Sequence, residues 1–337
     1  MDHLDRYREI VPDYAAFRAI QSQPLYNSAR INTLKIEPEK LLERLREDGV
    51  VFRSFDWYPL GLKLDSESPG KLLQNLLGQI HIQEELSMVP PLVLDPQPGE
   101  RILDMCASPG SKTTQIAQMM DNRGLVIANE PSLGRIAPLR SNCERLGVVN
   151  VAITRYDGRR FPRGSFDRIL VDAPCSSEGR ERRGPGTLAR CSRERSLGLK
   201  ALQVGLLKNA LRLVRPGGVV VYSTCTYAPE ENELVVQEAL RGRGEGRNCG
   251  DNRDCGDSGA GWAGGAGGAC SSDGHSGDSI DSGAFRLEKV KIAGLKECPG
   301  IVEWEGKRLM EELSATARYY PHINDTGGFY VARIIKS

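Results

Sequence analysis

Two cysteines in this sequence each follow an apolar run directly, where a reactive thiol can reach a ligand. Cys175 lies in DAPCS after the run RILV, and Cys225 lies in STCT after GGVVVY. If the two runs are strands of one parallel sheet, both thiols face a single crevice at its carboxyl edge. Thiolate chemistry occurs at partly exposed cysteines in polar surroundings. In contrast, Cys143 and Cys191 lie in helical or loop contexts and are interpreted as inert core residues.

The segment DMCASPGSKTT, residues 104–114, follows another apolar run and opens a stretch of helical spacing. Its Pro-Gly turn exposes backbone N–H groups, and a helix N-terminus adds a partial positive charge, so the segment favours a polar or anionic cofactor. A phosphate-binding loop requires Gly directly before Lys, but here Ser111 precedes Lys112 and Met105 stands where the first Gly is needed. A plain strand-to-helix turn is the alternative that stays open.

Three acidic residues follow successive apolar runs: Glu130 after LVIAN, Asp157 after VAITRY and Asp172 after RILV. An acid at the end of the second strand can accept hydrogen bonds from ribose hydroxyls, and one after the third can accept from an exocyclic amine. A single acidic residue at such a position is more commonly a helix cap or a turn residue. Their recurrence at three strand ends favours a nucleoside cofactor.

These residues must be positioned by an alternating pattern of elements that begins near residue 99. The runs RILDM, LVIANE, VAITRYD, RILVDAP and GGVVVYSTC predict strands, and residues 111–120, 132–146 and 196–214 have helical spacing. Such alternation predicts an α/β fold with a largely parallel sheet covered on both faces. Residues 285–292 and 328–335 predict two further strands, so residues 99–337 are expected to form one domain.

Residues 1–98 predict a separate small α+β module. An opening helical stretch is followed by RINTLKI, which predicts a strand, and by EPEKLLERLREDG, which predicts an amphipathic helix that ends at Gly. Within this module Trp57 and Tyr58 could stack on nucleic-acid bases, although core packing is the favoured interpretation.

Residues 241–283 predict a flexible insertion in the second domain. Fourteen of the 37 glycines lie there, and the Gly/Ser/Asp composition offers too little apolar surface to offset chain entropy. Cys249, Cys255, Cys270 and His275 fall in this stretch, but no C-x-x-C pair accompanies them. We therefore expect no metal site.

Composition limits the remaining possibilities. The chain has 337 residues, a formal charge of +1 and nine cysteines. No apolar run approaches the roughly 18 residues of a membrane helix, and the charged start lacks the apolar region of a secretory signal, so the expected location is the cytoplasm. Free thiols are the expectation in that reducing compartment, which disfavours a disulfide between Cys175 and Cys225.

An arginine-rich segment follows DAPCS and is a candidate for holding phosphates next to the thiols. A solvated charged face explains the composition equally well. The segment contains six arginines, Arg180, Arg182, Arg183, Arg190, Arg193 and Arg195.

Four motifs together resemble a known family: DMCASPGSKTTQ, DAPCS, YSTCTYAPEEN and RYYPHINDTGGFYVARI. They are similar to those of the Nol1/Nop2/Sun (RsmB/NOP) family of S-adenosylmethionine-dependent RNA cytosine-5 methyltransferases, including its tRNA-modifying members. The likeness runs from RINTLK to the C-terminus, interrupted by the glycine-rich insertion. Ser108 and Ser111 stand where many members have Ala and Gly, and both are still small. The resemblance implies a Rossmann-like class I methyltransferase sheet, mostly parallel with an antiparallel final strand, and an N-terminal RNA-binding module.

The resemblance also implies roles for individual residues. Carbon 5 of cytosine is a poor nucleophile, so a thiolate must first add to carbon 6. By similarity Cys225 is that nucleophile and Cys175 helps to release the product, an order that spacing alone leaves open. Asp172 would hold the cytosine through its N3 and amino edge, and Lys112 would contact the base. The residues that would hold the cofactor are Cys106, Ala107, Ser108, Pro109, Gly110, Ser111, Lys112, Glu130, Arg135, Asp157 and Asp172.

The expected function is therefore methyl transfer from S-adenosylmethionine to carbon 5 of a cytosine in tRNA, by a monomer, through a covalent adduct between cysteine and carbon 6. Ribosomal RNA is the alternative substrate. A non-catalytic RNA-binding assembly factor on the same fold, and a zinc or redox protein, are alternatives of other classes. DNA cytosine-5 methyltransferases use the Pro-Cys thiol and carry a Glu-Asn-Val motif that this sequence lacks.

Overall fold

The computed structural model describes residues 3–241 and 285–337. Apart from residue 241, the predicted flexible insertion lies outside the described residues, and so do Cys249, Cys255, Cys270 and His275. Within the described residues no helix is both long and apolar enough to cross a membrane.

A four-stranded antiparallel sheet occupies the N-terminal part of the chain. Its neighbours run in the order β2-β3-β1-β4. A helix over Pro38–Glu47 packs Leu41 and Leu45 into the core of this sheet, and its Pro38 has a φ already suited to a first turn. The elements up to residue 94 are α1 (Tyr14–Ile20), β1 (Asn27–Ile31), α2 (Pro38–Glu47), β2 (Val51–Ser54), β3 (Gly61–Asp65), α3 (Leu73–Leu76), β4 (Ile80–Ile82) and α4 (Val89–Leu94).

The strand predicted over RINTLKI, residues 30–36, is displaced: β1 covers Asn27–Ile31, so only the first two predicted residues belong to it. Asn32 forms a turn there: its side-chain oxygen accepts from the Leu34 N–H, and its carbonyl accepts from the Lys35 N–H. Its amide group also donates to the Gly78 carbonyl, which fixes the turn against the end of α3. The predicted core role of Trp57 and Tyr58 agrees with their stacked rings, whose centroids lie 5.7 Å apart.

The second sheet has nine strands and contains the motifs. Strands β9, β8, β5, β6 and β7 are parallel neighbours in that order, and the final strand β15 is antiparallel to β9. The helices and strands from residue 101 onward are β5 (Arg101–Asp104), α5 (Ser111–Met119), β6 (Leu125–Asn129), α6 (Leu133–Leu146), β7 (Val151–Thr154), β8 (Phe166–Asp172), α7 (Arg193–Leu213), β9 (Val214–Thr224), α8 (Glu233–Leu240), β10 (Phe285–Glu288), β11 (Cys298–Pro299), β12 (Glu303–Trp304) and β13 (Lys307–Arg308), which form a separate hairpin, β14 (Ala317–Tyr319), α9 (Pro321–Asn324) and β15 (Phe329–Lys336). The strand predicted over residues 285–292 ends at Glu288.

Alternating residues of the central strands enter two different cores, which is why these strands are apolar throughout. Val220 and Tyr222 of β9 pack with α7 and α8, while Val219 and Val221 pack with α4 and α5. A sheet buried on both faces leaves its strand ends as the accessible region, so ligands collect at the edge where β5, β8 and β9 end.

The first residues of the chain pack on the large sheet's domain rather than on the small sheet. Tyr7 and Phe17 are fully buried and share a core with the helices beside β9. The Phe17 ring meets the Tyr227 ring edge-on at 5.1 Å between centroids. Residues close to the N-terminus thus support the segment that follows Cys225.

Candidate active site

The two predicted cysteines lie next to each other at the ends of β8 and β9. These strands are parallel neighbours in which Asp172 pairs with Ser223, so the turns after them leave the sheet side by side. The sulfur atoms of Cys175 and Cys225 are 3.3 Å apart, and both residues are partly buried. The Cys225 sulfur also lies 3.6 Å from the hydroxyl oxygen of Ser177.

The two thiols are electrostatically different although they touch. The hydrogen bond from Cys175 lowers the pKa of Cys225 below its ordinary value, against the opposing effect of burial. The same hydrogen bond, together with burial, raises the pKa of Cys175. These directions favour Cys225 as the thiol that ionises more readily. The assignment of nucleophile and release residue to the two cysteines stays a prediction.

A lysine–aspartate pair borders the thiols. Lys112 Nζ lies 2.6 Å from Asp172 Oδ2, and Ser223 donates to the other carboxylate oxygen at 2.8 Å. Burial lowers the pKa of Lys112, but the adjacent Asp172 carboxylate outweighs this effect and raises it overall. Ser87 accepts a further hydrogen bond from Lys112 at 2.8 Å. Both charged side chains are therefore fixed in position before any ligand binds.

The loop between β5 and α5 is held by its neighbours. Gly110 has a φ of 103°, and a Cβ there would lie 2.9 Å from Leu139, so a larger residue does not fit without strain. Ser108 donates to the Arg135 carbonyl, and the Arg135 guanidinium donates to the Ser108 carbonyl. These contacts tie the loop to the first turn of α6.

Asp104, the last residue of β5, fixes the start of this loop. It is 1% exposed, and one of its oxygens accepts from the Thr113 hydroxyl at 2.7 Å. Burial raises the pKa of Asp104 to about 6. Since Thr113 lies in the first turn of α5, the contact fixes the helix relative to the strand that precedes it.

A cavity of about 430 Å³ joins the loop to the thiols. Ten of the predicted site residues line it: Cys106, Ala107, Ser108, Pro109, Ser111, Lys112, Arg135, Asp172, Cys175 and Cys225. The volume is within the range of small-molecule sites in proteins.

Three predicted cofactor residues do not line this cavity, namely Gly110, Glu130 and Asp157. Glu130 is 2% exposed and accepts from the Ser132 N–H at 2.9 Å, so it shapes the turn before α6. The Asp157 carboxylate is paired with Arg159 at 2.6 Å. A role in cofactor binding stays a prediction for all three.

The cavity also has a wall that sequence reasoning missed. Ile82, Gln83, Glu84 and Ser87 come from β4 and the turn after it. Burial raises the pKa of Glu84, whose carboxylate accepts from the N–H groups of Leu86 and Ser87. No local motif marks these residues, because only tertiary packing brings them to the site.

The arginines of the arginine-rich segment lie in different environments. Arg180 and Arg183 line the cavity. Arg182 does not contribute to a phosphate-binding surface as expected: it is 5% exposed and donates to the carbonyls of Gln23 and Thr326. Its planar set of donors suits the joining of buried chain segments, so the expectation for Arg182 is wrong.

The fold and the site together define a Rossmann-like methyltransferase, and comparisons identify its family. Residues 91–255 match the pattern of the 16S rRNA methyltransferase RsmB/F family. A tRNA (cytosine(49)-C(5))-methyltransferase from Pyrococcus abyssi is 37% identical over 99% of this chain and 95% of its own length. A ribosomal RNA small subunit methyltransferase F from Vibrio vulnificus is 39% identical over 69% of this chain and 52% of its own length.

Solved structures agree with the sequence comparisons. A methyltransferase homologue from Pyrococcus horikoshii has a TM-score of 0.76 and 32% identity, covering 99% of this chain and 94% of its own. NSun6 from Pyrococcus horikoshii, solved with SFG, has the same fold, with a TM-score of 0.76 at 23% identity over 99% of this chain and 97% of its own.

The chain belongs to the RsmB/F (NOP2/Sun) family and is an S-adenosylmethionine-dependent RNA cytosine-C5 methyltransferase. The predicted family is thereby confirmed. So is the predicted fold, a mostly parallel sheet with antiparallel C-terminal strands and a small N-terminal sheet.

Proposed function

We propose that this protein methylates carbon 5 of a cytosine in tRNA, with the two cysteines in separate roles. The observation that carries the proposal is the pair of sulfur atoms, 3.3 Å apart, in one cavity with Lys112 and Asp172. A base flipped out of an RNA fold can contact both thiols in such a cavity. tRNA is preferred over rRNA because the tRNA-modifying relative aligns along 99% of the chain, whereas the rRNA-modifying relative aligns along 69%.

The residues around the loop fit S-adenosylmethionine. The cavity has the volume of a small-molecule site, and the small residues of the loop leave room for close contact with the backbone. The N-terminus of α5 and the Ser111 hydroxyl offer donors to a carboxylate, while Arg135 lies at the rim. We assign cofactor binding to residues 106–112 and Arg135. Glu130, Asp157 and Asp172 would contribute their carboxylates.

The thiols perform the covalent chemistry. When bound, S-adenosylmethionine supplies an electrophilic methyl group on its sulfonium. The Cys225 thiolate adds to carbon 6 of the cytosine, which makes carbon 5 electron-rich enough to take the methyl group. A base at the site then takes the proton from carbon 5, the ring double bond re-forms, and the bond between sulfur and carbon 6 breaks with its electron pair returning to the Cys225 sulfur as thiolate. Cys175 assists this release.

The charged pair holds the base during these steps. Asp172 contacts the N3 and amino edge of the cytosine, and Lys112, whose Nζ lies 2.6 Å from the Asp172 carboxylate, holds that carboxylate in place. Arg180 and Arg183, at the mouth of the same cavity, are placed to contact phosphates beside the flipped nucleotide. The bound substrate is therefore held by contacts to both base and backbone.

The test is methylation of RNA by the purified chain with labelled S-adenosylmethionine. Bulk tRNA should acquire 5-methylcytosine, and small-subunit rRNA tested in parallel should not. Labelling of rRNA alone would replace the proposed substrate. RNA binding without labelling of either would indicate a non-catalytic assembly factor.

Two variants separate the roles of the cysteines. Cys225→Ala should lose methylation, while Cys175→Ala should accumulate a covalent RNA–protein adduct on a denaturing gel, because release is blocked after the adduct forms. If Cys175→Ala abolishes the adduct and Cys225→Ala accumulates it, the roles are reversed. Cys298→Ala is the matched control, since Cys298 is a partly buried free cysteine on β11 that does not line the cavity.

A further inference from the structure

A chain of hydrogen bonds connects α6, the small sheet and the N-terminus of α5. Arg145, near the end of α6, lies with Nη2 2.9 Å from Nδ1 of His81 on β4. The other ring nitrogen of His81, Nε2, lies 2.8 Å from Oγ of Ser111, the first residue of α5. His81 is 5% exposed, so its partners are these two side chains rather than water.

The direction of each hydrogen bond in this chain follows from the chemistry of its ends. A guanidinium has donors only, so Nδ1 of His81 must accept from Arg145, and the ring proton must be on Nε2. His81 therefore donates to Ser111. Burial and the charges of Arg30 and Arg145 lower the pKa of His81 to about 3, so the ring stays neutral at physiological pH and holds this tautomer.

Because its oxygen accepts from His81, Ser111 must direct its own hydroxyl proton elsewhere. Among residues 3–241 and 285–337 it has no hydrogen-bond acceptor for that proton, and Ser111 lines the cavity. The free donor is presented at the N-terminus of a helix, where an anionic acceptor is favoured.

We propose that His81 and Arg145 are positioning residues that orient the Ser111 hydroxyl to donate to the carboxylate of S-adenosylmethionine. The carboxylate is the anionic group of that cofactor, and it matches both the free donor and the helix N-terminus. This inference rests on the proposed function for the identity of the cofactor. It adds that the small N-terminal sheet, through His81, controls how tightly the cofactor is held.

The test measures S-adenosylmethionine binding by calorimetry in the absence of RNA. Ser111→Ala should weaken binding by about tenfold to hundredfold, the value of one hydrogen bond to a charged group. His81→Phe should weaken it by a smaller factor, because the hydroxyl remains but is no longer oriented. His81→Gln, which can still donate to Ser111, should recover most of the affinity. Ser314→Ala, in an exposed turn, is the control for a lost serine hydroxyl.

A double-mutant cycle distinguishes positioning from general support of the fold. In the Ser111→Ala background, His81→Phe should cause no further loss of affinity, since the hydroxyl that it orients is absent. Additive losses, or unchanged affinity in Ser111→Ala, would overturn the proposal. Thermal melts show whether His81→Phe folds. If it does not, the affinities of Ser111→Ala and His81→Gln alone test the proposal.

The binding assay is independent of the RNA substrate. If the parent chain binds S-adenosylmethionine but methylates no tRNA, the proposed function fails while the His81–Ser111 coupling can still be measured. If instead Ser111→Ala leaves cofactor affinity unchanged and raises only the KM for tRNA, the hydroxyl contacts an RNA phosphate and the assignment to the carboxylate is wrong.

Discussion

Replacing Cys175 with alanine should raise the pKa of Cys225, because the Cys225 thiolate loses its hydrogen-bond donor. The two sulfur atoms are 3.3 Å apart, and the hydrogen bond from Cys175 is the largest influence on the Cys225 thiol. A hydrogen bond to a charged group contributes about 1.5–3 kcal/mol, and about 1.4 kcal/mol corresponds to a pKa change of 1. A thiol is a weak donor, so the lower end of this range applies. At a pH below the midpoint, the variant should therefore contain about one-tenth as much Cys225 thiolate.

The assay is the rate of alkylation of Cys225 by iodoacetamide as a function of pH, read by mass spectrometry of the cysteine-containing peptide. The reagent reacts with the thiolate, so the midpoint of the rate profile reports the pKa. Cys175→Ser retains a hydroxyl donor and should keep the midpoint near that of the parent. Cys298→Ala, which leaves both site thiols in place, should not move it.

The outcome also determines which cysteine carries the proton. If the midpoint for Cys225 is unchanged or falls in Cys175→Ala, the contact between the sulfurs does not stabilise the Cys225 thiolate. Cys175 would then be the thiol that ionises first, and the division into nucleophile and release residue would have to be exchanged. A rise in both Cys175→Ala and Cys175→Ser would show that sulfur is required as the donor.

Three further predictions concern buried polar groups. Glu233→Gln should destabilise the fold by about 3–5 kcal/mol in urea unfolding, because the buried Arg318 guanidinium loses its partner; an effect below 1 kcal/mol would contradict this. Glu178→Ala should cost about 3 kcal/mol or more, since the Tyr7 hydroxyl and the Tyr227 N–H lose a buried acceptor; an unchanged melting temperature would refute it. His81, with a pKa of about 3 in the folded state, binds a proton more readily when unfolded, so acid weakens the fold. His81→Gln should remove about 2 kcal/mol of the stability lost between pH 6.5 and 4.5, and equal pH slopes in parent and variant would exclude this.

The sequence was sufficient for features that depend on periodicity and on the order of parallel strands. The runs before Cys175 and Cys225 read as buried strands, and parallel strands end at the same edge of a sheet, so their proximity followed once β8 and β9 were neighbours. The loop before α5 was identifiable because Pro109 and Gly110 interrupt two regular patterns. Local signals of this kind need no knowledge of the remaining chain.

Contacts between distant segments were not predictable in this way. Arg182 lies between cavity-lining arginines in the sequence, but its side chain donates to the carbonyls of Gln23 and Thr326. Composition does not distinguish an arginine that lines the cavity from one that joins buried chain segments. Glu130 and Asp157 follow strands as expected, yet each bonds to its own neighbouring turn in the structure. An acidic residue after a strand can either bind a cofactor or accept hydrogen bonds from the turn that follows it. Only the folded structure shows which of these contacts it makes before a ligand binds.

The division of the chain into two domains at about residue 98 remains a prediction. Contacts at the site cross this predicted boundary. Lys112 is held by Ser87, and Ser111 accepts from His81, so the first two residues of α5 depend on partners from the first 98 residues. A small sheet that served only to hold RNA would not need to reach these side chains. The N-terminal part is therefore better described as one wall of the catalytic cavity than as an appendage to it.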